Sequence, residues 1–186
     1  MAETTTTRRR MLQVDFFTST HRLSTQVNVY MRPLSDQLND PRVSWIELEM
    51  AYISRVERPA EIIADYAISA LRKDHILFAM ITGSTDGALK KLPPTASSIY
   101  YSRLAYKTWV ATRSFEIAGK VEWTGKLDLH PLLVTTAERF MPVHGATATC
   151  TIVALAPFSA ELVLVNKEAI EMFCSEEKGK PVVQAN

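Results

Sequence analysis

Two short patterns, 94 residues apart, constrain what this 186-residue chain can fold into. The first is Leu71-Arg72-Lys73-Asp74-His75-Ile76, followed by Leu77-Phe78; the second is Val165-Asn166-Lys167-Glu168-Ala169-Ile170, followed by Met172-Phe173. In each, an apolar residue leads into Lys-acid-x-Ile. Each copy reads as a strand, a tight polar turn and a second strand. The same separation of 94 relates Thr18-x4-Leu23-x3-Val27 to Thr112-x4-Ile117-x3-Val121, and Leu38 to Leu132. Phe140-Met141 stands where Trp45-Ile46 stood, one residue out of step. Patterns that recur at one fixed spacing predict a single module used twice.

The stretches between these landmarks are strand-like. Leu12, Val14 and Phe16 alternate with Gln13, Asp15 and Phe17, and Leu23, Thr25, Val27 and Val29 alternate after the polar Thr18-Ser19-Thr20. Period-two alternation on either side of a polar turn predicts a hairpin over 11–30. Pro33, Leu34 and Leu38 spaced by four, and Asn39 before Pro41 predict about one helical turn. Trp45, Ile46 and Leu48 resume a strand. The run 60–71 carries helix-favouring alanines, but its counterpart Glu161-Leu162-Val163-Leu164-Val165 is β by composition, so two short strands are expected at 61–64 and 66–71. In the second half, Pro131 between Leu129 and Leu133 predicts another short helix.

Residues 82–98 contain Gly83, Gly87, Pro93 and Pro94 without periodicity, which predicts a linker. The expected organisation is a flexible N-terminal arm (1–10), a first β module (11–81), the linker (82–98), a second β module (99–175) and a C-terminal tail (176–186). The expected fold is all-β with minor helix: two tandem related small β-barrel or β-sandwich-like units, each with one short helix. Units this small have marginal cores and exposed strand edges, so packing on another copy or oligomerising would stabilise them.

The first half resembles an uncharacterised family of small bacterial β domains. The family's pattern is a Thr-turn hairpin, Arg-Leu-Ser-Asp-x-Leu-Asn, a strand, and an apolar strand ending in Asn/Arg-Lys/Arg-x-x-Ile. Here these elements are Thr18, Arg32-Pro33-Leu34-Ser35-Asp36-Gln37-Leu38-Asn39 with Pro33 inserted, and Arg72-Lys73-Asp74-His75-Ile76. The second half keeps the Thr turn and Asn166-Lys167-Glu168-Ala169-Ile170 but lacks the Leu-Ser-Asp-x-Leu-Asn segment. This resemblance implies no activity. The last strands, residues 162–170, are also similar to those of Sm-like small β-barrels, which form rings and in many cases bind single-stranded RNA. Their glycine-containing RNA-pocket motif is absent from both halves, and here the helical turn follows the first hairpin instead of preceding it.

Motifs that carry chemistry are missing. His21, His75, His130 and His144 form no His-x3-His pair, and there is no phosphate loop, nucleophile elbow or paired-carboxylate spacing. Neither an enzyme nor a cofactor or metal site is expected. Cys150 and Cys174 fit no metal spacing and are expected to be free, buried thiols. No apolar run approaches the roughly 20 residues that cross a bilayer. The first ten residues have no apolar core after Arg8-Arg9-Arg10, so no export signal is expected and the expected location is the cytoplasm. A formal net charge of +1 argues against nucleic-acid binding through bulk charge.

What remains is binding. The expected function is that of a non-catalytic assembly, scaffold or accessory subunit that binds protein partners or copies of itself. Candidate contact residues are Arg8, Arg9 and Arg10, as a tether for an acidic partner or for peripheral docking on anionic headgroups, and the aromatics Tyr100, Tyr101 and Trp109. The alternative is a nucleic-acid-binding small barrel. It would need a basic face from Arg103, Lys107, Arg113, Lys120 and Lys126 beside those aromatics.

Overall fold

The computed structural model describes residues 9–90, 103–135, 137–178 and 180–181. Alternation places Leu12, Val14 and Phe16 in the core from β1 (Met11–Phe17). Thr18 then turns the chain: its N–H donates to the His21 carbonyl at 2.9 Å, and its hydroxyl accepts from the His21 N–H at 2.9 Å. The hairpin closes with β2 (His21–Asn28). Helix α1 (Leu34–Asn39) follows, burying Leu34 and Leu38, whose spacing of four puts them on one face. β3 (Trp45–Arg55) and β4 (Arg58–Arg72) form a long hairpin, and a 3-10 turn (Lys73–His75) leads to β5 (Phe78–Ile81).

The second half repeats this order. β6 (Arg103–Thr112) and β7 (Phe115–Thr124) form a hairpin. A π turn (Pro131–Thr135), β8 (Phe140–Cys150) and β9 (Phe158–Asn166) come next. A 3-10 turn (Lys167–Ala169) leads to β10 (Ile170–Ser175), and β11 (Lys180–Pro181) adds a short pairing on β6.

All pairings are antiparallel, and one sheet crosses both halves in the order β10-β6-β7-β8-β9-β5-β1-β2-β3-β4. Within each half the strands run across the sheet in the order fifth, first, second, third, fourth. The sheet is all-β in character and does not close on itself: its ends are β10 and β4.

The registers of the halves coincide as well. Leu12 faces Val27, and 94 positions on at both strands Tyr106 faces Val121. Phe16 faces Ala79, and Val110 faces Phe173 with the same displacement of 94. At the third strand the displacement is 95: Ile46 faces Leu71, and Met141 faces Val165. Both third strands carry a bulge at the matching position, where Met50 has φ 50° and Gly145 has φ 55°. Opposite the second bulge, Gly119 has no room for a side chain, because an added Cβ would lie 2.5 Å from Val143 Cγ1.

The core has two parts. One gathers Leu12, Val14, Phe16, Leu34, Leu38 and Ile46 of the first half; the other gathers Val110, Phe115, Ile117, Val143 and Ala148 of the second. β5 and β9 are shared between them. Ala79, Ile81, Leu162 and Leu164 face the first core, whereas Phe78, Met80, Val163 and Val165 face the second. All four residues of β5 and the last five of β9 are buried, as strands covered on both faces must be. Phe17 and Phe78 stack at 4.5 Å between ring centroids, and Phe115 meets both edge-on at 5.3 and 5.0 Å.

Two expectations are corrected. The run 58–72 is one strand, not two, because Asp65 lies opposite Tyr52 on an open strand where its charge stays in water. Cys174 is exposed on β10, and only Cys150 is buried. Lys73 lies in the polar turn and is itself buried: it is 2% exposed, and its ammonium donates to the Asp40 carbonyl at 3.0 Å. Of the expected linker, residues 82–90 lie against α1: the Leu34 and Ser35 N–H groups donate to the Gly87 and Ala88 carbonyls, and Ala88 is buried in the first core.

Candidate interaction surface: the two ends of the sheet

The contact between the halves is strand on strand. Phe78 faces Val165, Ala79 faces Leu164 and Met80 faces Val163. Asn166 locks the end of this ladder: its backbone N–H donates to the Leu77 carbonyl at 3.0 Å and its side-chain amide to the Ile76 carbonyl at 2.8 Å. Nearby, the Asn39 side chain accepts from the Phe140 N–H at 2.7 Å and donates to its carbonyl at 3.3 Å. A side-chain amide thereby takes the place of a strand partner for Phe140.

The two Lys-acid turns flank this junction. Arg139 donates to Asp74 at 2.7 Å and pairs with Glu168. Hydrogen bonds from Arg72 and then Arg139 hold the Asp74 carboxyl below its ordinary pKa. Asp40 is held well below the usual carboxylate range by Arg42, with Arg32 assisting. Burial pushes the Lys73 and Lys167 ammoniums down.

The outer strands have the same build, but among the described residues no strand lies beyond them. Leu162 of β9 is 2% exposed; Ile68, 94 positions earlier on β4, is 82% exposed. Phe78 of β5 is fully buried; Met172, its counterpart on β10, is 55% exposed. Ile62, Ile63 and Tyr66 extend the exposed apolar surface of β4. Edge strands are commonly blunted by charged side chains, prolines or bulges; β4 has Arg58, Pro59, Glu61 and Asp65 in its first part but none of these over residues 66–71. Its outer edge offers a long row of backbone donors and acceptors, backed by apolar side chains.

The sequence-predicted contact residues lie elsewhere. Arg9 pairs with Glu49 at 3.1 Å and Arg10 pairs with Asp86, so both are held to the first half. Arg8, Tyr100 and Tyr101 lie outside the described residues. Trp109 is half-buried on β6, facing Ala118 on one side and Cys174 on the other. Of the proposed basic face, Arg103 meets Glu122 at 3.6 Å and Lys107 meets Glu176 at 3.3 Å, while Lys107 stands directly opposite Lys120. Among the described residues no three His, Cys, Asp or Glu side chains come close enough to hold a metal ion. Among the described residues no helix is long and apolar enough to cross a membrane. A cleft of about 460 Å³ lies between Asn39, Trp123, Phe140 and Lys167, and Lys90 and Arg103, which bound the undescribed residues 91–102, both open onto it.

Sequence reasoning did not find the edge residues Ile68 and Met172. Apolar residues at consecutive positions, Ile62-Ile63, suit a strand buried on both faces; exposure of such a strand depends on which strand lies beside it. Comparison of the chain with models of protein families, with curated proteins and with solved structures finds no match.

Proposed function

We propose that the protein is a non-catalytic assembly subunit, made of two copies of one small five-stranded β module, that works by binding protein along its sheet edges. The observation that carries this reading is β4: a strand of 15 residues at the end of a sheet, with Ile62, Ile63, Tyr66 and Ile68 exposed. Leaving that much apolar surface on an edge unpaired among the described residues invites strand addition, in which backbone hydrogen bonds give affinity and side chains give specificity. The matched registers support the two-copy reading. The competing reading, binding to single-stranded nucleic acid, is disfavoured by the carboxylates that already face Arg103 and Lys107.

Light scattering at micromolar concentration, with a pull-down from lysate, tests the proposal. Self-association or a co-purifying protein is expected. A monomer that captures no protein, yet binds oligonucleotides with a steep salt dependence, would favour the alternative.

A further inference from the structure

The junction inside the chain doubles as a template for a junction between chains. We infer that β4 of one copy pairs with β10 of the next, in the register by which β9 pairs with β5, so that copies join head to tail. This inference rests on the proposed assembly function and specifies its geometry.

β9 and β5 are the fourth strand of one half and the fifth of the other, and their pairing joins the halves. The ends of the sheet are then the fourth strand of the first half, β4, and the fifth strand of the second, β10. Two copies therefore present to each other the same kinds of edge that already meet within one chain.

Side-chain facing agrees at each position. On β9, Val163 and Val165 pack on their own half, while Leu162 and Leu164 enter the core of the other half. On β4, Leu71, the counterpart of Val165, packs on its own core; Ile68 and Ala70, the counterparts of Leu162 and Leu164, are exposed. On β5, Ala79 packs on its own half and Phe78 and Met80 on the other. On β10, Phe173 packs on its own core, whereas Met172 and Cys174 are exposed. The side chains left in water are those whose counterparts the internal junction buries.

The donors agree too. Arg72 stands where Asn166 gives its amide to the Ile76 carbonyl. In the next junction Arg72 would meet the Ile170 carbonyl and the Glu168 carboxylate of the neighbouring copy. A heterologous contact of this kind either closes into a ring or continues as a filament.

Carrying the pairing of Met80 with Val163 over by 94 positions sets Cys174 opposite Ser69 of the adjoining copy. Facing residues on antiparallel strands lie within the Cα separation of a disulfide. Mild oxidation of Ser69→Cys protein should convert most chains to disulfide-linked multimers through the native thiol. Adding Cys174→Ser should abolish the link, and Ala70→Cys, which points to the other face, should not form it.

A second measurement needs no cross-link. Ile68→Lys and Met172→Lys should each reduce the scattering mass to that of one chain, with unchanged circular dichroism. Mixed, they should form a 1:1 dimer, because one retains an intact β10 and the other an intact β4. If Met172→Lys alone still assembles, β4 pairs with itself or with another surface, and this inference is overturned while the assembly function stands. If the unmodified protein assembles but Ser69→Cys links no better than Ala70→Cys, the register is overturned. If it is monomeric throughout and captures no partner, both fall.

Discussion

Asp74 and Glu168, the acids of the two repeated turns, hold the same guanidinium, that of Arg139. The guanidinium thus ties together the two places in the chain where the Lys-acid pattern occurs. Arg139 is mostly shielded, but both carboxylates reach solvent, so the contact fixes geometry more than it adds stability. Arg139→Ala should lower the melting temperature modestly, and high salt should shrink the difference between variant and parent.

The carboxylates make stability depend on acid. Asp40 and Asp74 have folded-state pKa values below the ordinary 3.8, so they bind fewer protons folded than unfolded. Their stabilisation is complete above that value and is lost as pH falls from it towards the folded values. Denaturant midpoints should drop over this acid range, and Asp74→Asn together with Asp40→Asn should flatten the fall. Lys73 and Lys167 act at the other end. With pKa values lowered from 10.5, they favour the folded state increasingly as pH rises from their folded values towards 10.5.

Asn39 should matter more than its position on a one-and-a-half-turn helix indicates. Asn39→Ala removes two hydrogen bonds and strands the N–H of Phe140, a residue 1% exposed. The expected loss is about 1–3 kcal/mol by chemical denaturation. Asn39→Asp keeps the acceptor for that N–H and loses only the donor, so it should cost less.

Phe78 joins the halves through the aromatic cluster. Phe78→Ala removes its stack on Phe17 and its edge contact with Phe115, and leaves a cavity where the second core meets β5. A loss of about 3–5 kcal/mol is expected. Fluorescence and circular dichroism should report one shared transition at a lower denaturant concentration, because β5 and β9 serve both cores.

The two bulges give a matched pair of opposite predictions. Met50 adopts φ 50°, a left-handed conformation that costs a side-chain-bearing residue energy, whereas Gly145 meets the same demand freely. Met50→Gly should raise stability by about 0.5–1 kcal/mol, the relief of strain outweighing the added freedom of the unfolded chain. Gly145→Ala should lower it by about 1 kcal/mol. Thermal melts of both variants check the pair.

The local elements are legible in the chain's own residues. Alternation at Leu12, Val14 and Phe16, the Thr18 turn, the Leu34–Leu38 spacing and the recurrence of Lys-acid-x-Ile at 94 are local or periodic signals, and each corresponds to an element in the fold. Where those elements come to lie depends on contacts distant in sequence. The Leu-Ser-Asp-x-Leu-Asn segment read as a helical turn, but the use of Asn39 depends on Phe140, 101 residues away. Lys73 read as a polar turn residue, and only the approach of the Asp40 carbonyl makes it a buried one. Most of all, the residues of β4 and β9 are of one kind, yet Leu162 is buried and Ile68 is bare. Burial of a strand is a property of its neighbours, and a strand's own residues do not specify which neighbour arrives.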